Sequence, residues 1–203
     1  MDNEVVYDFH DDRWIKNIKQ IRPAQKEVML TFDDGPSRKL HPLLDVLKEK
    51  EVPAVFFWQS RLLYKQRPWK RVIQEGHVIA SHAHNHKNLT TLPKSEQYKQ
   101  IKTSVDKIRK ITGDNVHYFR PPYGQYNEET MDILKELGLL PVMWQIAACD
   151  WENKHTPERI VANVVGHCRP GSIILLHELE QTLTVLPQLI DTIRREGFEF
   201  ALF

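Results

Sequence analysis

Two short stretches carry side chains that could do chemistry together. Thr31–Ser37 reads TFDDGPS and sets two carboxylates, Asp33 and Asp34, side by side. Ser81–Leu89 reads SHAHNHKNL and packs three histidines, His82, His84 and His86, into five residues. Adjacent carboxylates repel, and the pair persists most easily where a cation neutralises one of them. Asp-Gly-Pro-Ser is also good turn chemistry, which needs no cation. His82 and His86 are four apart and share a face if the segment is helical or loops back. On an extended segment all three histidines would point the same way. Imidazole nitrogen and carboxylate oxygen together suit a borderline cation such as Zn²⁺. Two histidines and one carboxylate leave a coordination position open, the arrangement of a catalytic metal. Such a metal acidifies a bound water and polarises a carbonyl, and a second carboxylate could take the proton from that water. His177 could protonate a leaving nitrogen. Spacing alone does not choose between Asp33 and Asp34, nor does it exclude His84.

The elements that must position these groups follow from apolar patterning. Glu27–Phe32, Ala54–Phe57, Val78–Ala80, Tyr118–Arg120, Leu140–Ile146, Ser172–Leu176 and Phe198–Leu202 read as strands. Leu40–Lys50, Leu62–Glu75, Lys94–Ile111 and Leu186–Glu196 read as helices. A further helix is capped by Asn127 and stopped by Gly138, and another starts at Thr156-Pro157-Glu158 with the Thr156 hydroxyl as its cap. Strands alternating with helices predict an α/β fold with parallel strands, a distorted (β/α) barrel of about seven strands, with an open doubly wound sheet as the alternative. Residues 1–25 lack periodicity and read as an N-terminal arm or irregular cover; 26–203 read as the single domain. Asp33, Asp34, His82, Arg120, Asp150 and His177 all fall at C-terminal ends of apolar strands. In a parallel barrel those ends share the face where active sites gather.

Composition excludes several classes. A formal net charge of +1 over 203 residues gives no electrostatic bias toward nucleic acid or membrane. Two cysteines, Cys149 and Cys168, make no disulfide framework and read as buried thiols. No stretch reaches a membrane span, and residues 1–20 lack the pattern of a signal peptide. The chain as written is expected to be cytoplasmic, although an exported protein trimmed of its leader would look the same. A monomer is the expected form.

Five motifs then stand in order: TFDDG at Thr31–Gly35, H-x-x-x-H at His82–His86, RPPYG at Arg120–Gly124, DW at Asp150–Trp151 and LLH at Leu175–His177. In this the chain resembles the polysaccharide deacetylases, the NodB-homology group or carbohydrate esterase family 4. The resemblance implies hydrolysis of N-acetyl groups on sugars such as peptidoglycan or chitin-type oligosaccharides. It implies a divalent metal, Zn²⁺ first and Co²⁺ next, on Asp34, His82 and His86. It makes Asp33 the general base, paired with Arg120, and His177 the general acid, tuned by Asp150. It gives the backbone N–H of Tyr123 to the oxyanion, and Trp151 and Leu175 to the wall around the acetyl methyl. Trp144 reads as core rather than as a sugar platform. Three positions depart from the pattern: Ala83 where Ser or Thr is common, Ala147 where an Asp is common, and Glu178 where Asp often follows the acid histidine. Ala83 and Ala147 keep a non-catalytic carbohydrate-binding relative in view, and the lack of a leader in the sequence as written keeps in view a hydrolase of a small non-polysaccharide amide.

Overall fold

The computed structural model describes residues 5–7 and 10–203. Among the described residues eight strands and six α-helices follow one another. They are β1 (Glu27–Gly35), α1 (Leu40–Glu49), β2 (Ala54–Trp58), α2 (Trp69–Gln74), β3 (Val78–Ser81), α3 (Lys94–Thr112) and β4 (Tyr118–Phe119). Then come α4 (Glu128–Glu136), β5 (Leu140–Pro141), β6 (Ile146–Ala147), α5 (Glu158–Val165), β7 (Ile173–His177), α6 (Glu180–Arg195) and β8 (Glu199–Phe200). All named strand pairs are parallel, in the order β5-β4-β3-β2-β1-β7-β6, with β8 added beside the start of β1. The sheet curls into a half barrel, as the alternation of elements predicts.

The central strands are apolar on both faces because helices cover one side and the barrel interior the other. Every residue of β2, AVFFW, is buried. In β1 the burial runs unbroken from Val28 to Asp33. Helices α1, α5 and α6 each bury one stripe, such as Val185, Leu186, Leu189, Ile190 and Ile193 of α6.

The N-terminal segment works as a closing strip. Strands β5 and β6 are the two ends of the strand order. Ile15 bridges in parallel to Val142, Asn17 to Ser172 and Val6 to Ile146, the last two antiparallel. The Ile15 N–H donates to Pro141 O at 2.9 Å, and the Met143 N–H donates to Ile15 O at 2.9 Å. Trp14, Ile15 and Ile18 are buried in the core.

Four expectations need correction. The helix expected over Leu62–Glu75 forms only as α2, because Pro68 supplies no N–H and disfavours helix in the residue before it. The strand expected over Leu140–Ile146 is two short strands, and the residues between them pair with the N-terminal segment. Helix α6 begins at Glu180 and carries Pro187 inside it, six residues before the expected start at Leu186. The Thr156 hydroxyl donates to Asn153 Oδ1 at 3.2 Å instead of capping α5.

Candidate active site

The parallel sheet brings the strand ends together. Asp33 of β1 pairs in register with His177 of β7, and Ser81, which precedes His82, pairs with Phe119, which precedes Arg120. A cavity of about 590 Å³ opens there, lined by Asp33, Asp34, His82, His86, Tyr123, Trp151, Leu175 and His177 among others.

Asp34, His82 and His86 form a cluster. One ligand atom from each lies within 4.8 Å of the other two. His86 Nε2 is 3.1 Å from Asp34 Oδ1, and His82 Nε2 is 3.7 Å from the same oxygen. The Nδ1 of His82 lies 2.7 Å from the carbonyl of Arg120. A carbonyl only accepts, so Nδ1 carries the proton of the neutral ring and Nε2 offers its lone pair toward the carboxylates. Two imidazoles and one carboxylate on three sides of an open cavity suit a divalent cation. Burial works to raise the Asp34 pKa, but His82, His86 and His177, with the Gln59 amide, hold it below the usual carboxylate range.

Asp33 sits beside that cluster in a different setting. Its Oδ1 accepts from Arg120 Nη1 at 2.7 Å, and Oδ2 faces His82 Nε2 at 3.8 Å. Arg120 is fully buried. It also donates to Thr31 Oγ1 at 2.8 Å and to Met143 O at 2.8 Å, and its guanidinium lies 4.0 Å over the Phe57 ring. The guanidinium is thus fixed on several sides, and it pairs with the Asp33 carboxylate where both side chains are buried.

On the far wall, His177 Nδ1 lies 2.7 Å from Asp150 Oδ1. The other oxygen of Asp150 accepts from the His177 N–H and the Thr182 hydroxyl, each at 2.6 Å. Burial pushes the His177 pKa down, but the charge and hydrogen bond of Asp150, helped by Asp33 and Asp34, outweigh it and raise it to about 9. Its Nε2 points across the cavity, 3.9 Å from Asp34 Oδ2. The Trp151 ring stands edge-on to His177 at 5.3 Å and is 44% exposed, while Leu175 is buried in the wall.

Backbone strain gathers at this rim. Among the described residues six non-glycine residues have positive φ; Asp34, His86 and Tyr123 line the cavity, and Ala83 and Cys149 adjoin His82 and Asp150 in sequence. Left-handed backbone in a residue with a Cβ is costly and persists where the surroundings enforce it. Here it turns side chains at the strand ends into one space.

Other residues singled out by the sequence lie elsewhere or do other work. His84 bonds Ser60 Oγ at 2.7 Å and is outside the ligand cluster. Trp144 is buried and still lines the cavity, edge-to-face with Tyr7 at 5.7 Å. Ala83 and Ala147 are buried. Cys149 and Cys168 are unpaired, with thiols pushed up to about 11 by burial.

Two residues have roles at the site that the sequence did not suggest, Glu178 having stood out only as a departure from the family pattern. Glu178 is buried on the cavity wall, accepting from the Ser37 N–H at 2.6 Å and from Trp58 Nε1 at 3.0 Å. It braces the turn after Asp34, and a Cβ at Gly35 would overlap its carboxylate. Gln59 is buried and donates to Asp34 Oδ1 at 2.8 Å. Each is a polar side chain directly after a buried apolar strand, the same signal that marks Asp33 and His82.

Comparison with known proteins agrees with this arrangement. The family model described as polysaccharide deacetylase matches residues 20–142. A peptidoglycan-N-acetylglucosamine deacetylase of Bacillus cereus is 33% identical over 181 residues, 86% of this chain and 66% of that protein. A chitooligosaccharide deacetylase of Azorhizobium caulinodans is 30% identical over 197 residues, 88% of this chain and 93% of that protein. Among solved structures, a family 4 carbohydrate esterase from Streptomyces lividans in complex with acetate has a TM-score of 0.80 at 28% identity. That match covers 89% of this chain and 94% of that one.

Proposed function

The chain belongs to the polysaccharide deacetylase family, and from that premise we propose that it hydrolyses N-acetyl groups on sugars of the peptidoglycan or chitin type, with a divalent metal on Asp34, His82 and His86. Zn²⁺ is the metal that best suits this donor set, with Co²⁺ next. The observation that carries the reading is the sharing of one cavity by three units: the Asp34–His82–His86 cluster, the Arg120–Asp33 pair and the Asp150–His177 pair.

The metal, when bound, supplies Lewis-acid polarisation of the acetyl carbonyl and of the attacking water. The chain's own residues do the rest. Asp33, paired through Oδ1 with Arg120, accepts the proton of the attacking water at Oδ2. The Tyr123 backbone N–H, turned by its left-handed φ of 61°, donates to the oxygen that gains charge. His177, charged below its raised pKa and held by Asp150, gives its Nε2 proton to the departing amine. Trp151 and Leu175 shape an apolar slot for the methyl group and exclude water from it.

Acetate release tests this directly. N-acetylglucosamine oligomers and peptidoglycan should each be assayed with and without chelator, then with Zn²⁺ or Co²⁺ restored. Release should stop with chelator and return with metal. Release that ignores the chelator, or none from any acetylated substrate, would sink the proposal.

A further inference from the structure

Gln59 stands where two loops meet. Its backbone N–H donates to Gly35 O at 2.9 Å, just past Asp34. The next two residues reach the histidine loop: the Ser60 N–H donates to Ala83 O and the Arg61 N–H to His84 O, each at 3.2 Å. Its side chain is buried, and Nε2 lies 2.8 Å from Asp34 Oδ1. That oxygen is the one facing His86 and His82. An amide can be turned either way, but Arg61 settles it. Arg61 Nε lies 2.9 Å from Gln59 Oε1, and a guanidinium only donates. The oxygen end of the amide must therefore face Arg61, and the NH₂ end must face Asp34.

We propose that Gln59, locked by Arg61, is a positioning residue for the metal centre: it holds the Asp34 carboxylate in the orientation that lets it share a cation with His82 and His86. This rests on the metal-site reading above. Asp34 has φ of 67° and a partly exposed side chain. Without a donor on Oδ1 that carboxylate is free to turn toward His177 or water, and ordering it again costs binding energy. Outer partners of this kind typically change metal affinity by about 10–100-fold.

The test measures Zn²⁺ affinity by competition with a chromophoric chelator, together with the visible spectrum of the Co²⁺-loaded protein. Gln59→Leu keeps the backbone contacts and removes the donor. It should weaken Zn²⁺ by about tenfold or more and alter the Co²⁺ spectrum, with the metal-free melting temperature little changed. Arg61→Met should weaken Zn²⁺ by less, and Arg61→Lys, which still donates, should restore near-parental affinity. Asp34→Ala is the control. If Asp34→Ala abolishes binding while Gln59→Leu changes neither affinity nor spectrum, the positioning role is overturned and the metal site stands. If affinity survives Asp34→Ala, the metal-site reading falls and this proposal falls with it.

Discussion

Strand β3 has a histidine beside each end, and the two are opposites. His77 precedes the strand and takes a hydrogen bond on Nδ1 from the Ala54 N–H at 3.1 Å. A backbone N–H only donates, so the proton of the neutral ring is on Nε2, which is buried without a hydrogen-bond partner among the described residues. His82 follows the strand and meets a carbonyl instead, so its proton is on Nδ1 and its Nε2 lone pair faces the carboxylates. Burial drives the His77 pKa down to about 4. Residue type and strand are shared. The backbone group at the other ring nitrogen decides which histidine can be a ligand and which is packing.

Substitution at each end should separate the two roles. The largest effect belongs to His82→Leu. It removes a proposed ligand, so metal retention and acetate release should fall well beyond the roughly 100-fold typical of an outer partner, as read by metal analysis and acetate assay. Next is Arg120→Met, which ties the His82 end together through its carbonyl and its pair with Asp33. Leaving Asp33 buried and unpaired should cost about 3–5 kcal/mol in chemical denaturation. Third is His77→Leu, which should leave kcat/KM near the parental value. It strands the Ala54 N–H, at a cost of about 1–3 kcal/mol in denaturation. A drop in activity without a drop in stability would break the contrast.

The pH dependence sharpens it further. His77 has its folded pKa below the ordinary value of about 6.5. It therefore contributes stability that is present above pH 6.5 and lost as pH falls through about 4. That loss is worth at most about 3 kcal/mol, and His77→Leu should flatten the corresponding part of a stability–pH curve. His177 is the third case, a partly buried ring with a carboxylate at Nδ1, raised to about 9. As the proposed acid it must be charged, so kcat/KM should fall as pH rises through about 9. Asp150→Asn should move that limb downward in pH; a limb that does not move would detach His177 from it.

Much of the fold was legible because apolar runs such as AVFFW and SIILL admit few alternatives to buried strands. Lys94–Ile111 was legible too, from its single apolar stripe, and the helix runs Lys94–Thr112. What could not be read locally was fixed by distant partners. Leu140–Ile146 looks like one strand, yet Ile15 and Val6 claim part of the segment from more than a hundred residues away. Trp14, Ile15 and Ile18 are core without any periodicity, because they fill a seam and have no helix face to follow. At the site, strand-end position marked Asp33, Asp34, His82, Arg120, Asp150 and His177, and the family resemblance divided the roles among them. Gln59 and Glu178 carried the same positional signal but belong to neither a motif nor a charged pair of obvious partners. Their meaning lies in Asp34 and Gly35, which they brace across the sheet.

Pairing between β1 and β7 has a consequence in time. The ribosome delivers residues in order, and β1, β2 and β3 can associate as soon as residues 27–81 are free. Asp33, Asp34, His82 and His86 are therefore all synthesised in the first half of the chain. His177 reaches its register beside Asp33 only after about ninety further residues have emerged. A nascent chain would thus carry the proposed ligands Asp34, His82 and His86 well before the proposed proton donor.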